Sequence, residues 1–301
     1  MTPLVSIGMP VFNGEDYVDG AIRSLLAQTF SDFELIISDN ASTDSTADIC
    51  REHAEKDERI RLLTNEKNLG AAENYNRVFR ASSGGKYFKW AAHDDLCAPE
   101  FLERCIAALE RDDGASLCYP RSEFIDARGN SIGVYEEDDD FTADEPTRRF
   151  RSWLFERSGP WCNAVFGVIR SEVLARTPLI GKYNSSDVIL LGELALRGKL
   201  VRIPEVLFSR RDHPGRSVLA HKDSAARAAW FDPESAGKLQ LPAWRWLGGY
   251  LGSVWRAPLG IRQRFDCYGL MARWMVRWRS QLKQDVVNVS KKIAGRGEQA
   301  A

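Results

Sequence analysis

The stretch Lys86–Pro99, KYFKWAAHDDLCAP, decides how the rest of the chain is read. Tyr87, Phe88, Trp90, Ala91 and Ala92 form an apolar, aromatic run of strand length, which reads as a buried strand. The run stops at His93-Asp94-Asp95, and Pro99 opens a helix, where a proline in the first turn sacrifices no hydrogen bond. Two neighbouring carboxylates at the end of a buried strand repel each other. A divalent cation relieves that repulsion, and oxygen donors suit Mn²⁺ or Mg²⁺. An ordinary helix-capping pair in a solvated loop is the competing reading, and this stretch alone does not separate the two.

The residues before it repeat one pattern. Val5–Met9 is a short apolar strand ended by Pro10, and Asn13-Gly14 marks a turn. Tyr17, Val18, Ala21, Ile22, Leu25 and Leu26 recur at helical spacing between Asp16 and Gln28. Phe33–Ser38 is a second strand, and Ser42-Thr43-Asp44 supplies capping oxygens for a helix to about Ala54. Ile60–Leu63 is a third strand, and Asn68-Leu69-Gly70 opens a helix to about Ala81. Strand followed by helix, four times over, predicts an open parallel sheet with helices on both faces. Such sheets place ligands at the carboxyl ends of their strands. Here those ends carry Pro10–Asn13, Asp39-Asn40, Asn65–Asn68 and Asp94-Asp95. Asn and Asp also favour loops for local reasons, so the pattern points to a ligand without naming it. After the first strand the chain reads MPVFNGEDY, with one glycine, and no Walker A lysine motif occurs, which disfavours NAD, FAD and P-loop chemistry.

These residues resemble the family 2 glycosyltransferases, nucleotide-sugar enzymes of the GT-A fold. The likeness is carried by SIGMPVFNGEDYVDGAIRSLLAQTFSDFELIISDNASTDST, continues through NEKNLGAAENYN to the acidic pair and its proline, and covers about Val5 to Val218. It implies an α/β, GT-A type mixed sheet whose first half is Rossmann-like. It implies that Pro10, Phe12 and Asn13 help hold the nucleotide, with Asn68 on the same edge. Asp39 is then the acceptor for the base N–H, uracil or thymine. The family's metal motif is Asp-x-Asp-Asp; here Ala92 stands at the first position, leaving Asp94 for the metal and diphosphate with Asp95 beside it. His93 reads as a loop histidine.

In the middle of the chain, Phe124–Asn130 reads as a hairpin tip and Glu136–Asp140 as a solvated acidic loop. Trp161 is a candidate sugar-stacking platform on the acceptor side, with a core aromatic as the alternative. Asp187, in YNSSDVILLGELALRG, is by itself a natural helix cap. The family places its catalytic base in this segment, followed by a glycine and a short strand, here Gly198 and Leu200–Ile203. On that resemblance Asp187 deprotonates the acceptor, with Glu193 the second choice. SRRDHPGRSV resembles the family's Arg-x-His segment, so Arg210 or Arg211 neutralises diphosphate charge and His213 joins the metal shell, surface charge being the alternative.

Length and composition fit this picture. The chain has 301 residues, a net charge of −1 and 44% hydrophobic residues, an ordinary globular balance. The six cysteines form no zinc or C-x-x-C spacing and read as free thiols. No basic leader and no run of about eighteen apolar residues is visible, so the expectation is a cytoplasmic protein, at most touching the inner face of the membrane. From Leu241 onward there are eleven basic and three acidic residues, interleaved with Trp and Tyr. Pro258 and Gly260 split this tail into two helices, the second from Ile261 to about Asn288 with Phe265, Tyr268, Met271, Ala272, Met275 and Trp278 near one face. Such a tail packs on the rest of the chain, pairs with a second copy, or lies on an anionic membrane; no nucleic-acid module is visible. The expected organisation is 1–215 as the transferase domain, 216–240 as a linker and 241–301 as an α-helical extension. The expected reaction is inverting transfer from a UDP- or dTDP-linked sugar to a hydroxyl of a saccharide or lipid-linked acceptor, in polysaccharide, cell-envelope or glycolipid synthesis. A non-catalytic nucleotide-sugar-binding protein and an adaptor working through the basic tail are the rival readings.

Overall fold

The computed structural model describes residues 2–135, 139–157, 163–215, 224–235, 238 and 240–298. In chain order the elements are β1 (Val5–Val11), α1 (Val18–Leu26), β2 (Phe33–Asp39), α2 (Thr46–Lys56), β3 (Ile60–Thr64), α3 (Ala71–Arg80), β4 (Tyr87–Trp90), β5 (Leu96–Cys97), α4 (Phe101–Arg111), β6 (Ala115–Ile125), β7 (Ser131–Tyr135), α5 (Pro146–Phe155), β8 (Val168–Arg170), α6 (Ser171–Leu174), α7 (Ser186–Arg197), β9 (Lys199–Arg211), α8 (Ser224–Phe231), α9 (Pro242–Arg256), α10 (Ile261–Arg277) and α11 (Arg279–Glu298). The described strands form one sheet in the order β3-β2-β1-β4-β8-β6-β9-β5, with β7 pairing β6. β3, β2, β1 and β4 are parallel, and β8 turns the sheet antiparallel, so the sheet is mixed as a GT-A fold requires.

All seven residues of β1 are buried, because helices cover both faces of the sheet. On one face α1, α2 and α4 enclose Ile7, Met9, Ile22, Leu35, Phe101 and Leu102; on the other, α3, α5 and α7 enclose Ile36, Val78, Phe88, Trp90 and Leu194. α3 crosses β1 closely enough that a Cβ on Gly8 would lie 2.5 Å from Val78 Cγ2. β4 alternates between the layers. Its Lys89 is fully buried yet bonded, donating to the Phe166 carbonyl at 2.5 Å and standing 4.1 Å above the Phe101 ring.

Two boundaries differ from expectation. β1 runs through Pro10 to Val11: the pleat turns the Pro10 nitrogen towards β4, which has already ended at Trp90 opposite Gly8, so no ladder bond is lost. β9 has thirteen residues rather than four. Pro204 does not stop it, since the register against β6 shifts between Pro120 and Ser122 and absorbs the irregularity.

The basic tail packs on α7 and α5. Leu247, Tyr250, Val254, Cys267, Met271 and Trp274 join the core around Trp153 and Leu190. A Cβ on Gly192 would lie 2.9 Å from both Trp153 and Tyr250, so α7 needs glycine there. The expected helix from Ile261 to Asn288 is broken at Trp278, whose ring stacks on Trp274 and meets Trp246 edge-on. The turn brings α11 back to α9, where Asp285 accepts the Ala243 N–H at 2.8 Å and Trp244 donates to the Leu282 carbonyl. The inward face of α10 is Cys267, Met271 and Trp274; Phe265 and Met275, grouped with Met271 on one face in the sequence, are exposed.

Glu193, 1% exposed, ties the tail to α7. It accepts from Arg197 Nη2 at 2.8 Å and from Arg256 Nη2 at 2.7 Å. Its carboxylate is fully engaged here, so it does not serve the sequence-based second choice for a base. Glu193→Ala leaves the buried Arg197 guanidinium uncompensated, and a loss of about 3 kcal/mol is expected. A urea midpoint unchanged from the parent would contradict that.

Candidate functional site

A cavity of about 450 Å³ opens where β1 separates β2 from β4, at the carboxyl ends of the strands. It is lined by Pro10, Phe12, Asn13, Asn40, Asn68, Tyr75, Ala92, His93, Asp94, Asp95, Arg210, Arg211 and His213, among others. The structure therefore brings eight of the residues singled out in the sequence to one hollow: Pro10, Phe12, Asn13, Asn68, Asp94, Asp95, Arg211 and His213. Asp39 and Asp187 are not among the lining residues. Asp39, 1% exposed, ends β2 beside Asn40, and both its oxygens lie 3.3 Å from the Ser42 N–H. Trp161 lies outside the described residues, as does most of the acidic loop 136–140.

The β1 end is shaped by backbone geometry. Asn13 adopts a left-handed φ of 48°, which Asn tolerates better than most residues. Its Oδ1 accepts the Thr43 N–H at 2.9 Å, and its own N–H donates to Ser42 Oγ at 2.9 Å. These bonds lock the loop after β1 to the loop before α2.

A chain of asparagine amides fixes the floor. Asn40 Nδ2 donates to Asn68 Oδ1 at 2.9 Å, and Asn65 Nδ2 donates to Asn40 Oδ1 at 2.8 Å. Asn74, buried in α3, accepts from Ser38 Oγ at 2.7 Å and donates to the Ser38 carbonyl at 2.9 Å. The ends of β2 and β3 and the start of α3 are thereby held by side-chain amides. Asn76, two residues on, faces the other way and exchanges two bonds with the backbone of Ile180.

The acidic pair is held from β9. Arg211 N–H donates to Asp95 Oδ1 at 2.9 Å, and Arg211 Nε donates to the Asp94 carbonyl at 2.8 Å. Its Nη1 reaches the carbonyls of Asp126 at 3.0 Å and Ala127 at 3.2 Å, and its guanidinium lies 4.8 Å above the Tyr17 ring. Arg211 thus clamps the β6–β7 turn to the acidic loop. Arg210 instead donates to Asn163 Oδ1 at 2.6 Å. His213 Nε2 lies 3.0 Å from Asp94 Oδ2, and its ring packs edge-on against Tyr17.

Burial penalises the charge on both carboxylates. Asp94 is nevertheless held below the usual carboxylate range by the His213 hydrogen bond and the neighbouring imidazoles, whereas burial and the Asp94 charge push Asp95 up. Burial, together with the charges of Asp94, Asp95 and Asp187, raises the Tyr75 phenol, which therefore stays protonated as a donor. Tyr75 is thus within electrostatic reach of all three acids. Asp187 sits in the first turn of α7, and loss of water raises its carboxyl.

Residues 6–174, over half of the chain, match the family described as Glycosyl transferase family 2. The chain belongs to that family. An uncharacterized glycosyltransferase of Haemophilus influenzae is 34% identical over 37% of this chain and 34% of its own length. Chondroitin synthase of Escherichia coli is 34% identical over 43% of this chain and 19% of its own length. Matches to the relatives of known sequence span between 19% and 47% of their lengths. Among solved structures, S. aureus TarS 1–349 in complex with UDP superposes with a TM-score of 0.65 at 16% identity, covering 93% of this chain and 72% of TarS. The mannosyltransferase PcManGT from Pyrobaculum calidifontis, in complex with GDP-Man and Mn²⁺, gives 0.53 at 16% identity, covering 98% of this chain and 80% of that one. The two likenesses show the fold.

In this family 2 chain the donor set for a metal is small. No three His, Cys, Asp or Glu side chains converge on one point among the described residues. Asp94 and His213 do face each other, and a carboxylate with an imidazole fits Mn²⁺, with diphosphate oxygens completing the shell. Several lining residues were not visible in the sequence. Trp230 comes from α8, inside the segment expected as a linker, and Tyr17, Tyr75 and Asn74 come from helices read only for their apolar faces. The one available signal was Asn-Tyr-Asn on an otherwise apolar helix face. Asn74→Ala strips partners from Ser38 and Asn65; about 2 kcal/mol of stability is expected to go, read in thermal melts, together with weaker nucleotide binding.

Proposed function

We propose that the chain moves a glycosyl group from a nucleoside-diphosphate sugar to an acceptor hydroxyl, with inversion at the anomeric carbon. One observation carries the reading: the acidic pair, His213 and the nucleotide-side residues Pro10, Phe12 and Asn13 line a single cavity at the strand ends of a family 2 fold. The bound UDP of TarS and the GDP-Man and Mn²⁺ of PcManGT support a sugar nucleotide as donor and a divalent cation as cofactor. Asp94 and His213 would hold that cation, which would offset charge on the departing diphosphate. Arg210 and Arg211 both line the cavity, and a guanidinium there would meet the same charge.

Asp187 is assigned as the base. It carries a carboxyl whose raised pKa strengthens it as a proton acceptor, and it lies close enough to Tyr75 and Arg210 to feel both. A single displacement with one base inverts the configuration. Asp39 does not itself line the cavity but ends β2 beside the lining residue Asn40, and on the family resemblance it would accept the N–H of uracil or thymine; the acceptor is a saccharide or lipid-linked sugar. Ala92, which lines the cavity where the family carries a carboxylate, favours a second reading as a nucleotide-sugar-binding protein without turnover.

Release of free UDP from a panel of UDP-sugars with Mn²⁺ and an acceptor separates the two readings; binding without release would leave only the second. Asp94→Ala is expected to abolish Mn²⁺-dependent nucleotide binding in calorimetry. Asp187→Asn is expected to bind donor normally while losing about 10²- to 10⁴-fold in kcat. A fully active Asp187→Asn removes that residue as base. Because the base must be ionised, kcat should fall on acidification, with an inflection above the ordinary carboxyl value of 3.8. Asp187→Asn should lack that limb.

A further inference from the structure

Sugar transfer leaves one surface without a role, the corner between the end of α9 and the start of α10. Trp255, Ile261 and Phe265 project there, 71%, 79% and 71% exposed. Four backbone acceptors of the corner are bonded within the chain. Arg264 donates to the carbonyls of Val254 at 3.1 Å, Trp255 at 2.5 Å, and Ala257 and Leu259 at 3.3 Å, so the end of α9 is bonded from within. The same guanidinium lies 5.6 Å from the centre of the Trp255 ring and steadies the indole. The corner can therefore enter a medium of low polarity without stranding these carbonyls.

Charge decides what it meets. From Leu241 to the end, eleven basic residues stand against three acidic ones, and Arg262 is exposed between Ile261 and Phe265. Asp266 is exposed beside Phe265, so the excess positive charge belongs to the tail as a whole; a second copy docking about a two-fold axis would set two such basic tails together. A projecting corner also needs a concave site in a protein partner. A lipid headgroup layer supplies one by deforming, accepts Trp at its boundary and, where anionic, attracts arginine. Among the described residues no helix is long and apolar enough to cross a membrane, so the contact stays at the surface.

We propose that Trp255, Ile261 and Phe265 insert into the headgroup layer of an anionic bilayer, while the basic residues of 241–301 hold the chain to it. Apolar insertion and surface charge act together, since either one alone anchors only weakly.

The test is flotation of the full chain with phosphatidylcholine vesicles and with vesicles that also contain phosphatidylglycerol, at low and high salt. Flotation is expected only with phosphatidylglycerol and should weaken as salt rises. W255S/I261S/F265S should lower the partition constant at least about tenfold. Arg262→Glu, a charge change alone, should lower it about fivefold or more at low salt. Both variants should keep the parent melting temperature and the parent turnover of a soluble acceptor. Absence of flotation with anionic vesicles overturns the proposal, as does a triple variant that floats like the parent. A parent dimer in light scattering that the triple variant converts to monomer would instead make the corner a subunit interface.

Discussion

Two adjacent carboxylates at the end of a buried strand are tolerable only with cations and N–H donors held beside them, and that requirement brings distant parts of this chain together. β4 delivers Asp94 and Asp95; their partners arrive 116 positions later, at the end of β9. The Arg211 backbone satisfies one oxygen of Asp95, its side chain fixes the Asp94 carbonyl, and His213 bonds the Asp94 carboxylate. From the opposite layer, fully buried Lys89 also acts on Asp95, lowering the cost of its charge. The end of β9, in the mixed half of the sheet, is thus the electrostatic counterpart of the end of β4. A divalent cation at the same point would do more, because it would let both carboxylates ionise at once.

The parallel half was legible because each of its strands ends in residues with their own reason to stop a strand: Asn13-Gly14, Asn40, Asn65. Period and punctuation agree there, and agreement between levels is what makes a reading secure. β9 was not legible as one element. Pro204 carries the usual sign of a strand end, and only the pairing with β6, which skips Pro204 and Glu205 as a bulge in β9, shows why it is not one. Without that long strand, Arg210 and Arg211 look like loop charges rather than side chains aimed into a cleft.

Helical periodicity misled in the opposite way. Asn74 and Asn76 break the apolar face of α3, and their local signal is that of a weaker helix. The Asn74 amide instead bonds the backbone of Ser38 in β2, and the Asn76 amide bonds the backbone of Ile180 in the loop before α7. Trp230 left no signal at all, since its helix has no long apolar repeat and reaches the cavity only through tertiary packing against α3. Phe265 illustrates what period alone leaves open. Its place on one helix face with Tyr268 and Met271 allowed packing, pairing or a membrane surface, and only its 71% exposure shows that it faces outward.

α7 joins these threads. Its first turn carries Asp187, and six residues on, about 9 Å along the helix axis, Glu193 is pinned by Arg197 and by Arg256 of α9. Nearly every residue between them is packed in the core, so α7 moves as a rod. The helix that carries Asp187 is therefore held at its far end by the tail, through packing and the Arg256 ion pair. Arg256 immediately follows Trp255, so the ion pair that orients α7 and the corner that faces outward share one turn of α9. A tail that frays from α7 would therefore release the Glu193 ion pair and the exposed corner together.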